Sequence, residues 1–150
     1  MDISPEVLSS LPHRPPFLFV DTINDVNDQR IVCQKTFTGE EAFFQGHYPE
    51  YPLVPGVLLC EATMQAGAIL LKKRLENAAE KKFDGALPVV AKMTDIRFRQ
   101  SVRPGDTILM EVALVESAAN AFTFSASVSV NGKNAVRLKY VVMLVKRNDA

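Results

Sequence analysis

The feature that most constrains the fold of this chain is a long apolar segment, Leu53 to Leu71, which contains a single carboxylate at Glu61. Pro55 is placed to open a helix, and the residues that follow would put apolar side chains on nearly every side of that helix. Such a helix must be enclosed by other elements, because on a surface it would expose apolar groups to water. A membrane span is disfavoured, since Pro55, Glu61, Gln65 and two glycines interrupt the segment. The segment therefore predicts a buried helix from Gly56 to about Lys73.

Most of the remaining chain carries β-strand patterns. The clearest one alternates apolar side chains with Thr and Ser before Asn131–Gly132, which predicts a two-residue hairpin turn. The predicted strands are Phe17–Ile23, Arg30–Phe37, Pro88–Arg99, Thr107–Val115, Phe122–Val130 and Ala135–Val145. This order predicts one α+β domain over residues 1–150, with an antiparallel sheet wrapped around the central helix. One curved sheet covers only one side of a helix well, so the apolar helix also indicates cover from a second subunit.

Composition and charge narrow the class of function. Formal net charge is zero, from 17 basic and 17 acidic residues, and the basic cluster between Lys72 and Lys82 is interleaved with Glu76 and Glu80. We interpret this cluster as a solvated helix end, which disfavours a nucleic-acid partner. The two cysteines lack Cys-x-x-Cys spacing, and no apolar leader stands at the N-terminus. A cytoplasmic location is therefore expected.

Two residues near the helix start could move protons. His47 lies in a Gly-His-Tyr-Pro loop, and Glu61 follows fourteen residues later. A carboxyl group among apolar neighbours tends to keep its proton, and imidazole accepts protons near neutral pH. Gln65, one helical turn beyond Glu61, could hold the carboxyl group by a hydrogen bond. The N–H of Gly56 has no partner within the helix and could stabilise a carbonyl oxygen that gains negative charge.

Other chemistries have less support. Two histidines without clustered cysteines make a poor metal site, and the chain has no Gly-x-Ser-x-Gly, phosphate-binding or dinucleotide-binding motif. These observations favour acid–base catalysis without a cofactor. The second histidine, His13, stands in a proline-rich turn, where we assign it a structural role.

The chain resembles the (3R)-hydroxyacyl-acyl-carrier-protein dehydratases of bacterial-type fatty acid synthesis, which have the hot-dog fold. The resemblance runs from Leu11 to about Val145. It rests on the following motifs: Leu11-Pro12-His13-Arg14-x-Pro16-Phe17-Leu18-x-Val20-Asp21, Phe44-Gln45-Gly46-His47-Tyr48-Pro49, Pro52-x-x-Pro55-Gly56-Val57-Leu58, Glu61-Ala62 with Gln65, and Arg97-Phe98-Arg99 with Pro104-Gly105-Asp106.

The resemblance implies a mechanism and a substrate. His47 would abstract the C2 proton of a 3-hydroxyacyl thioester, and Glu61 would protonate the departing C3 hydroxyl. The substrate-binding positions would be Gly56, Val57 and Gln65, with the N–H of Gly56 as the donor to the thioester carbonyl and Gln65 as the support of the acid. The acyl chain would arrive on an acyl carrier protein.

The resemblance also implies an assembly. In the family, the histidine of one subunit faces the glutamate of its partner, so a homodimer would be required, and such dimers often form hexamers. Because acyl carrier proteins of this kind are acidic, Arg97, Arg99 and Arg103 are candidates for docking. Their ordinary role as strand and turn charges is an equal alternative.

Three alternatives stay open at this point. A relative that also isomerises the double bond carries Asp at the position of Glu61, so the glutamate favours simple dehydration. The substrate could instead be a CoA thioester or a specialised acyl or polyketide chain. A noncatalytic module that binds acyl carriers or lipids is a further possibility, although a pure binder has no need of both His47 and Glu61.

Overall fold

The computed structural model describes residues 2–78 and 84–149, so Glu80, Lys81 and Lys82 of the predicted helix end lie outside the described residues. One long helix packs against the inner face of a six-stranded antiparallel sheet, which confirms the predicted α+β, hot-dog arrangement. The helices and strands are α1 Pro5–Ser10, β1 Thr22–Val26, β2 Arg30–Thr36, α2 Gly56–Asn77, β3 Leu87–Phe98, β4 Thr107–Ala118, β5 Ala121–Val130 and β6 Lys133–Val145. Within the described residues, short 3₁₀ helices also cover Ala42–Gln45 and Arg147–Asp149.

Helix α2 begins at Gly56, as predicted, and buries most of its circumference. The buried positions are Leu59, Cys60, Ala62, Thr63, Gln65, Ala66, Gly67, Ile69, Leu70 and Leu71. Val57, Glu61, Met64 and Ala68 form one line along the helix that this chain does not bury, here called the open stripe. The helix is therefore enclosed as predicted except along this stripe, where the sequence predicts cover from a second subunit. No helix within the described ranges is long and apolar enough to cross a membrane.

The sheet order is β1-β2-β4-β5-β6-β3. Strands β4, β5 and β6 form an antiparallel meander, and at its predicted hairpin turn both Asn131 and Gly132 have positive φ, 51° and 77°. Strand β3 does not join this meander through β4 but pairs with β6. The loop after β3 contacts the segment before α2, where the N–H of Val54 donates to the carbonyl of Val102 at 2.8 Å. Strand β3 lies at one edge of the sheet.

The first predicted strand begins later than expected. Strand β1 starts at Thr22, whereas the extended segment from Phe17 to Val20 belongs to no strand. Phe19 and Val20 are buried there, and the side chain of Gln65 occupies the backbone hydrogen-bonding groups of Phe17 and Phe19. A glutamine of α2 thus takes the place that a neighbouring strand would fill.

A short helix was missed at the N-terminus. The side chain of Ser4 accepts a hydrogen bond from the N–H of Val7 at 3.3 Å, and Pro5 occupies the first turn of α1. Ser followed by Pro is a recognised helix start, so the signal was present in the sequence. Helix α1 is then fastened to α2, because Lys73 forms an ion pair with Glu6 at 2.8 Å.

A tyrosine fixes α2 on the sheet. The hydroxyl of Tyr140, on β6, donates to the carbonyl of Thr63 in α2 at 2.9 Å, and its ring stacks on Phe124. The hydroxyl reaches the helix only because Gly67 has no side chain, since a Cβ there would overlap it. Burial raises the pKa of Tyr140 well above its usual value, and the charge of Glu61 raises it further. The buried hydroxyl therefore stays protonated as a donor.

Candidate active site

The loop that carries His47 is held at both ends. The 3₁₀ helix Ala42–Gln45 ends with the N–H of His47 bonded to the carbonyl of Phe43 at 3.0 Å, and the ring packs edge-on against Tyr48. The ring Nδ1 lies 2.9 Å from the carbonyl oxygen of Leu53. A carbonyl oxygen can only accept a hydrogen bond, so Nδ1 carries the proton of the neutral ring. Nε2 is then left with its lone pair, as a general base requires.

The start of α2 offers two unpaired backbone donors. The N–H groups of Leu58 and Leu59 both bond to the carbonyl of Pro55, whereas no acceptor in the described part of the chain lies against the N–H of Gly56 or Val57. The dipole of a 22-residue helix adds partial positive charge at the same point. Val57 is 71% exposed, so this helix end is open to a ligand.

An aromatic ring lies against this helix start. A Cβ at Gly56 would stand 2.6 Å from Cε1 of Phe98, the last residue of β3. Only a glycine therefore allows the ring to pack so closely on the backbone. Phe98 is 56% exposed, so its ring adds an exposed apolar surface next to Gly56.

Glu61 lies in the middle of the open stripe, with its side chain 23% exposed. Its Oε1 accepts a hydrogen bond from Nε2 of Gln65 at 3.1 Å and lies 3.8 Å from Nε2 of His13. The carboxyl group therefore faces two nitrogen atoms on one side and the uncovered surface of the helix on the other.

Gln65 has its amide orientation fixed by the backbone. Its Oε1 accepts the N–H of Phe19 at 2.8 Å, so the amide nitrogen must point toward the carbonyl of Phe17 and the carboxyl group of Glu61, both at 3.1 Å. The residue is 1% exposed, and every polar atom of its side chain has a partner. Gln65 thus presents a rigid donor to Glu61.

Sequence reasoning gave His13 no place near the site, yet the structure brings its ring beside Glu61. The two residues are 48 positions apart, so neither spacing nor periodicity could have paired them. The only signal was that His13 belongs to the first motif of the family resemblance.

His47 and Glu61 keep separate partners within one chain. No hydrogen bond or ion pair joins them in the described ranges, and each is bonded to neighbours of its own. The exposed aromatic residues Tyr48 and Tyr51 stand beside His47 in its loop.

The three candidate docking arginines occupy two different surfaces. Arg97 and Arg99 line a cleft of about 580 Å³ on the outer face of the sheet, together with Arg137 and Lys139. The guanidinium of Arg103 instead stacks on Tyr51, 4.2 Å from the ring centre, and also contacts its hydroxyl. Only Arg103 therefore touches the loop that carries His47.

Comparison with known proteins identifies the family. Residues 11–139 match the FabA-like domain. The chain is 41% identical over 130 residues to the 3-hydroxyacyl-[acyl-carrier-protein] dehydratase FabZ of Clostridium perfringens, covering 87% of this chain and 89% of that protein. It is 42% identical over 142 residues to FabZ of Caulobacter vibrioides, covering 94% and 87% of the two chains.

Solved structures agree on the fold. The dehydratase heterocomplex ApeI:P of Xenorhabdus doucetiae superimposes with a TM-score of 0.80 at 19% identity, over 95% of this chain and 92% of that one. A hypothetical thioesterase of Streptococcus pneumoniae, solved with coenzyme A, gives a TM-score of 0.64 at 10% identity, over 94% and 92%. The fold is therefore shared by proteins of different activity. The domain match and the curated relatives, by contrast, point to one family. The chain belongs to the FabA-like family, among the 3-hydroxyacyl-[acyl-carrier-protein] dehydratases of the FabZ type.

Proposed function

We propose that this chain dehydrates (3R)-hydroxyacyl thioesters carried on an acyl carrier protein to trans-2-enoyl thioesters in fatty acid biosynthesis. The curated relatives at 41% and 42% identity carry the name of this activity. The observation in the structure that supports it best is the pair of oriented groups near the helix start, His47 with a bare Nε2 and Glu61 with a fixed donor. Such a pair suits a reaction that removes one proton and delivers another.

His47 acts as the base in this proposal. Its Nε2 takes the C2 proton of the substrate, and the electron pair of the C–H bond moves toward the thioester carbonyl. The carbonyl oxygen then gains negative charge, which the free N–H groups of Gly56 and Val57 are placed to stabilise. The hydrogen bond from Nδ1 to the carbonyl of Leu53 at 2.9 Å holds the ring while it becomes positively charged.

Glu61 acts as the acid. It gives its proton to the C3 hydroxyl, so the C3–O bond breaks, water leaves, and the double bond forms between C2 and C3. The proton that it gives is the one that the neutral carboxyl group carries, and the apolar neighbours on the open stripe leave no other acid beside it. Gln65 then donates a hydrogen bond to the carboxylate that remains, at 3.1 Å.

We propose that the working unit is a homodimer in which His47 of one subunit faces Glu61 of the partner subunit. Two uncovered apolar surfaces support this arrangement: the open stripe, and edge strand β3 with its exposed Val89, Val90, Met93, Ile96 and Phe98. Exposed apolar surface that exceeds scattered single side chains is typical of an interaction site. A second copy that pairs with β3 would cover both surfaces. Three such dimers would make a hexamer.

Carrier recognition and location complete the proposal. Arg103 is the best candidate for contact with an acidic carrier protein, because it is exposed and touches the loop of His47. We place the reaction in the cytoplasm, since Cys33 and Cys60 are both free thiols.

The test is hydration of a crotonyl or longer enoyl thioester, the reverse reaction, measured with His47→Ala and Glu61→Gln. Each variant should lose roughly 100-fold or more of the activity while keeping its circular dichroism spectrum, because a general acid or base contributes at least that much. Activity close to wild type in either variant would defeat the assignment. Comparison of carrier and CoA thioesters then decides between the carrier-linked and the CoA-linked substrate.

Mixing the two variants tests the shared site. In a heterodimer, one site has both working residues and the other has neither, so about half of the wild-type activity per dimer should return, by independent sites. Heterodimers shown by mass to have formed, yet still inactive, would exclude a site built from two subunits.

A further inference from the structure

His13 stands next to the group that we propose as the catalytic acid, and its surroundings define what it can do there. Its Nε2 lies 3.8 Å from Oε1 of Glu61, the oxygen that also accepts the hydrogen bond of Gln65. The contact is longer than a hydrogen bond in the resting state. Catalytic contacts of this length often tighten when charge develops, so the position suits a donor that acts during the reaction.

The other ring nitrogen fixes the direction of this donor. Nδ1 of His13 is buried and has no hydrogen-bond partner among residues 2–78 and 84–149. A proton on Nδ1 would be a buried donor without an acceptor, which costs about 1–3 kcal/mol. Of the two tautomers of the uncharged ring, the one with its proton on Nε2, directed at Glu61, is therefore favoured.

The backbone holds the ring in this place. Arg14 donates to the carbonyl oxygens of His13 at 2.6 Å, Leu11 at 2.7 Å and Leu8 at 3.0 Å, which ties the turn to the end of α1. Helix α1 is in turn fastened to α2, the helix that carries Glu61. The ring of His13 also stacks on Phe17, whose carbonyl oxygen is bonded to Gln65. The distance between the imidazole and the carboxyl group is thus set by the scaffold.

Charged groups around the pair do not compete with it. Glu61 is the one carboxylate in ion-pair range of His13 among the described residues. Lys73 is paired with Glu6, and Lys72 lies 3.8 Å from Glu76 and bonds to the carbonyl of Ser9. The guanidinium of Arg14 is bonded to backbone carbonyls.

We propose that His13 is a positioning residue for Glu61, which donates from Nε2 to the carboxylate that forms when Glu61 gives its proton to the departing hydroxyl. This inference rests on the proposed function. The proton that Glu61 loses goes to the substrate oxygen and leaves as water, and His13 keeps its own proton throughout. His13 does not relay protons, because no group in the described part of the chain is bonded to the buried Nδ1 and could supply a proton to it.

Two substitutions separate this role from a purely structural one. His13→Leu removes the donor but keeps an apolar body beside Phe17, whereas the amide nitrogen of His13→Gln reaches the place of Nε2 and cannot change its charge. We expect kcat to fall roughly tenfold in His13→Leu with KM nearly unchanged, which is a fraction of what a general acid contributes. His13→Gln should recover most of that activity.

The pH dependence of activity distinguishes a positioning role from a loss of stability, because a less stable protein does not change the pH at which its activity declines. Loss of a donor to the carboxylate favours the protonated acid, so in His13→Leu the decline of activity on the alkaline side should move to higher pH while the maximum falls. The profile of His13→Gln should keep the position of the wild type. In the Glu61→Gln background, His13→Leu should cause no further loss, because its effect acts through Glu61.

The outcomes are distinct from those that test the proposed function. A wild-type chain without dehydratase activity would defeat the proposed function. An active wild type with unchanged kcat and alkaline decline in His13→Leu would overturn the role of His13. So would equal losses in His13→Leu and His13→Gln that follow the drop in thermal midpoint, since they would mark a structural residue.

Discussion

The two sides of α2 differ in how completely the rest of the chain buries them and provides partners for their hydrogen-bonding groups. On the covered side, Gln65, Gly67 and Thr63 are fully buried. The hydroxyl of Tyr140 donates to the carbonyl of Thr63. The amide of Gln65 bonds to the backbone of Phe17 and Phe19. On the open stripe, Val57 and Glu61 keep partial exposure and free hydrogen-bonding capacity. One helix therefore supplies both the core and the candidate site, with the division set by which side the chain covers itself.

This difference shows which residues of a buried helix can still act on a ligand. A polar group that is saturated by its own chain, such as the amide of Gln65, can only hold its neighbours. A group that keeps a free atom toward an uncovered surface, such as the carboxyl of Glu61, can still act on a ligand. Variants on the sheet side should consequently change stability, and variants on the open side should change activity.

The largest effect is expected on the sheet side, at Gly67. Gly67→Ala places a methyl group on the hydroxyl of Tyr140, and overpacking of this kind costs about 3 kcal/mol in free energy of unfolding. Urea denaturation measures the change. Adding Tyr140→Phe removes the overlapping oxygen and leaves the ring carbon Cζ 3.3 Å from the new Cβ, so the double variant should be more stable than Gly67→Ala alone. A double variant that is less stable would contradict the proposed overlap.

The next effect concerns Gln65, which touches both sides. Gln65→Leu leaves the N–H of Phe19 without a partner in a buried place and should lower the free energy of unfolding by about 2 kcal/mol. Activity should fall as well, because Glu61 loses its fixed donor. Gln65→Glu is the matched control: it still accepts from Phe19, but its second oxygen faces the carboxyl group of Glu61. Unchanged stability in Gln65→Leu would show that the hydrogen bonds to the segment before β1 are dispensable.

On the open side, Gly56→Ala should separate activity from stability. The added Cβ stands 2.6 Å from the ring of Phe98, which must swing away, and Phe98 is exposed enough to do so. We expect activity to fall roughly tenfold, about 1.4 kcal/mol in the transition state, while the free energy of unfolding changes by less than about 0.5 kcal/mol. Phe98→Leu added to Gly56→Ala should restore part of the activity. Full activity in Gly56→Ala would mean that the close approach of the ring is irrelevant to the reaction.

The smallest effect is expected at the loop surface. Arg103→Glu should raise KM for a carrier-linked thioester severalfold and leave KM for the CoA thioester unchanged, because a rim charge acts mainly on encounter. Arg137→Glu, on the outer face of the sheet, is the control and should leave both values unchanged. A larger effect from Arg137→Glu would indicate that the carrier docks at the outer cleft that Arg97 and Arg99 line, and not at the loop of His47.

The fold was predictable wherever a local pattern sufficed. Alternation marked β5, positive φ at Asn131 and Gly132 marked the hairpin, and Pro55 marked the start of α2. The pairing of β3 with β6 was not predictable, because strand order depends on which edge a loop reaches, and a period of two carries no such information. The apolar run after Pro16 was mistaken for a strand because extended backbone has the same pattern whether it pairs with a strand or with a glutamine side chain.

Only part of the candidate site was predictable from the sequence. His47, Glu61 and Gly56 were identified by residue type and by their position near one helix start, and Gln65 was identified because it lies one helical turn after Glu61. His13 does not, since its place beside Glu61 is created by the turn that Arg14 ties to α1 and by the packing of α1 on α2.

The sequence by itself determined the buried helix with one carboxylate, the strand-rich remainder and the proton-transferring residue types, because apolar periodicity and turn residues act over a few positions. Only the tertiary structure decided which stripe of α2 stays uncovered, which nitrogen of His47 is free and that His13 meets Glu61. Those outcomes depend on contacts between segments far apart in the chain, where the lowest free energy is reached only when all of them pack together.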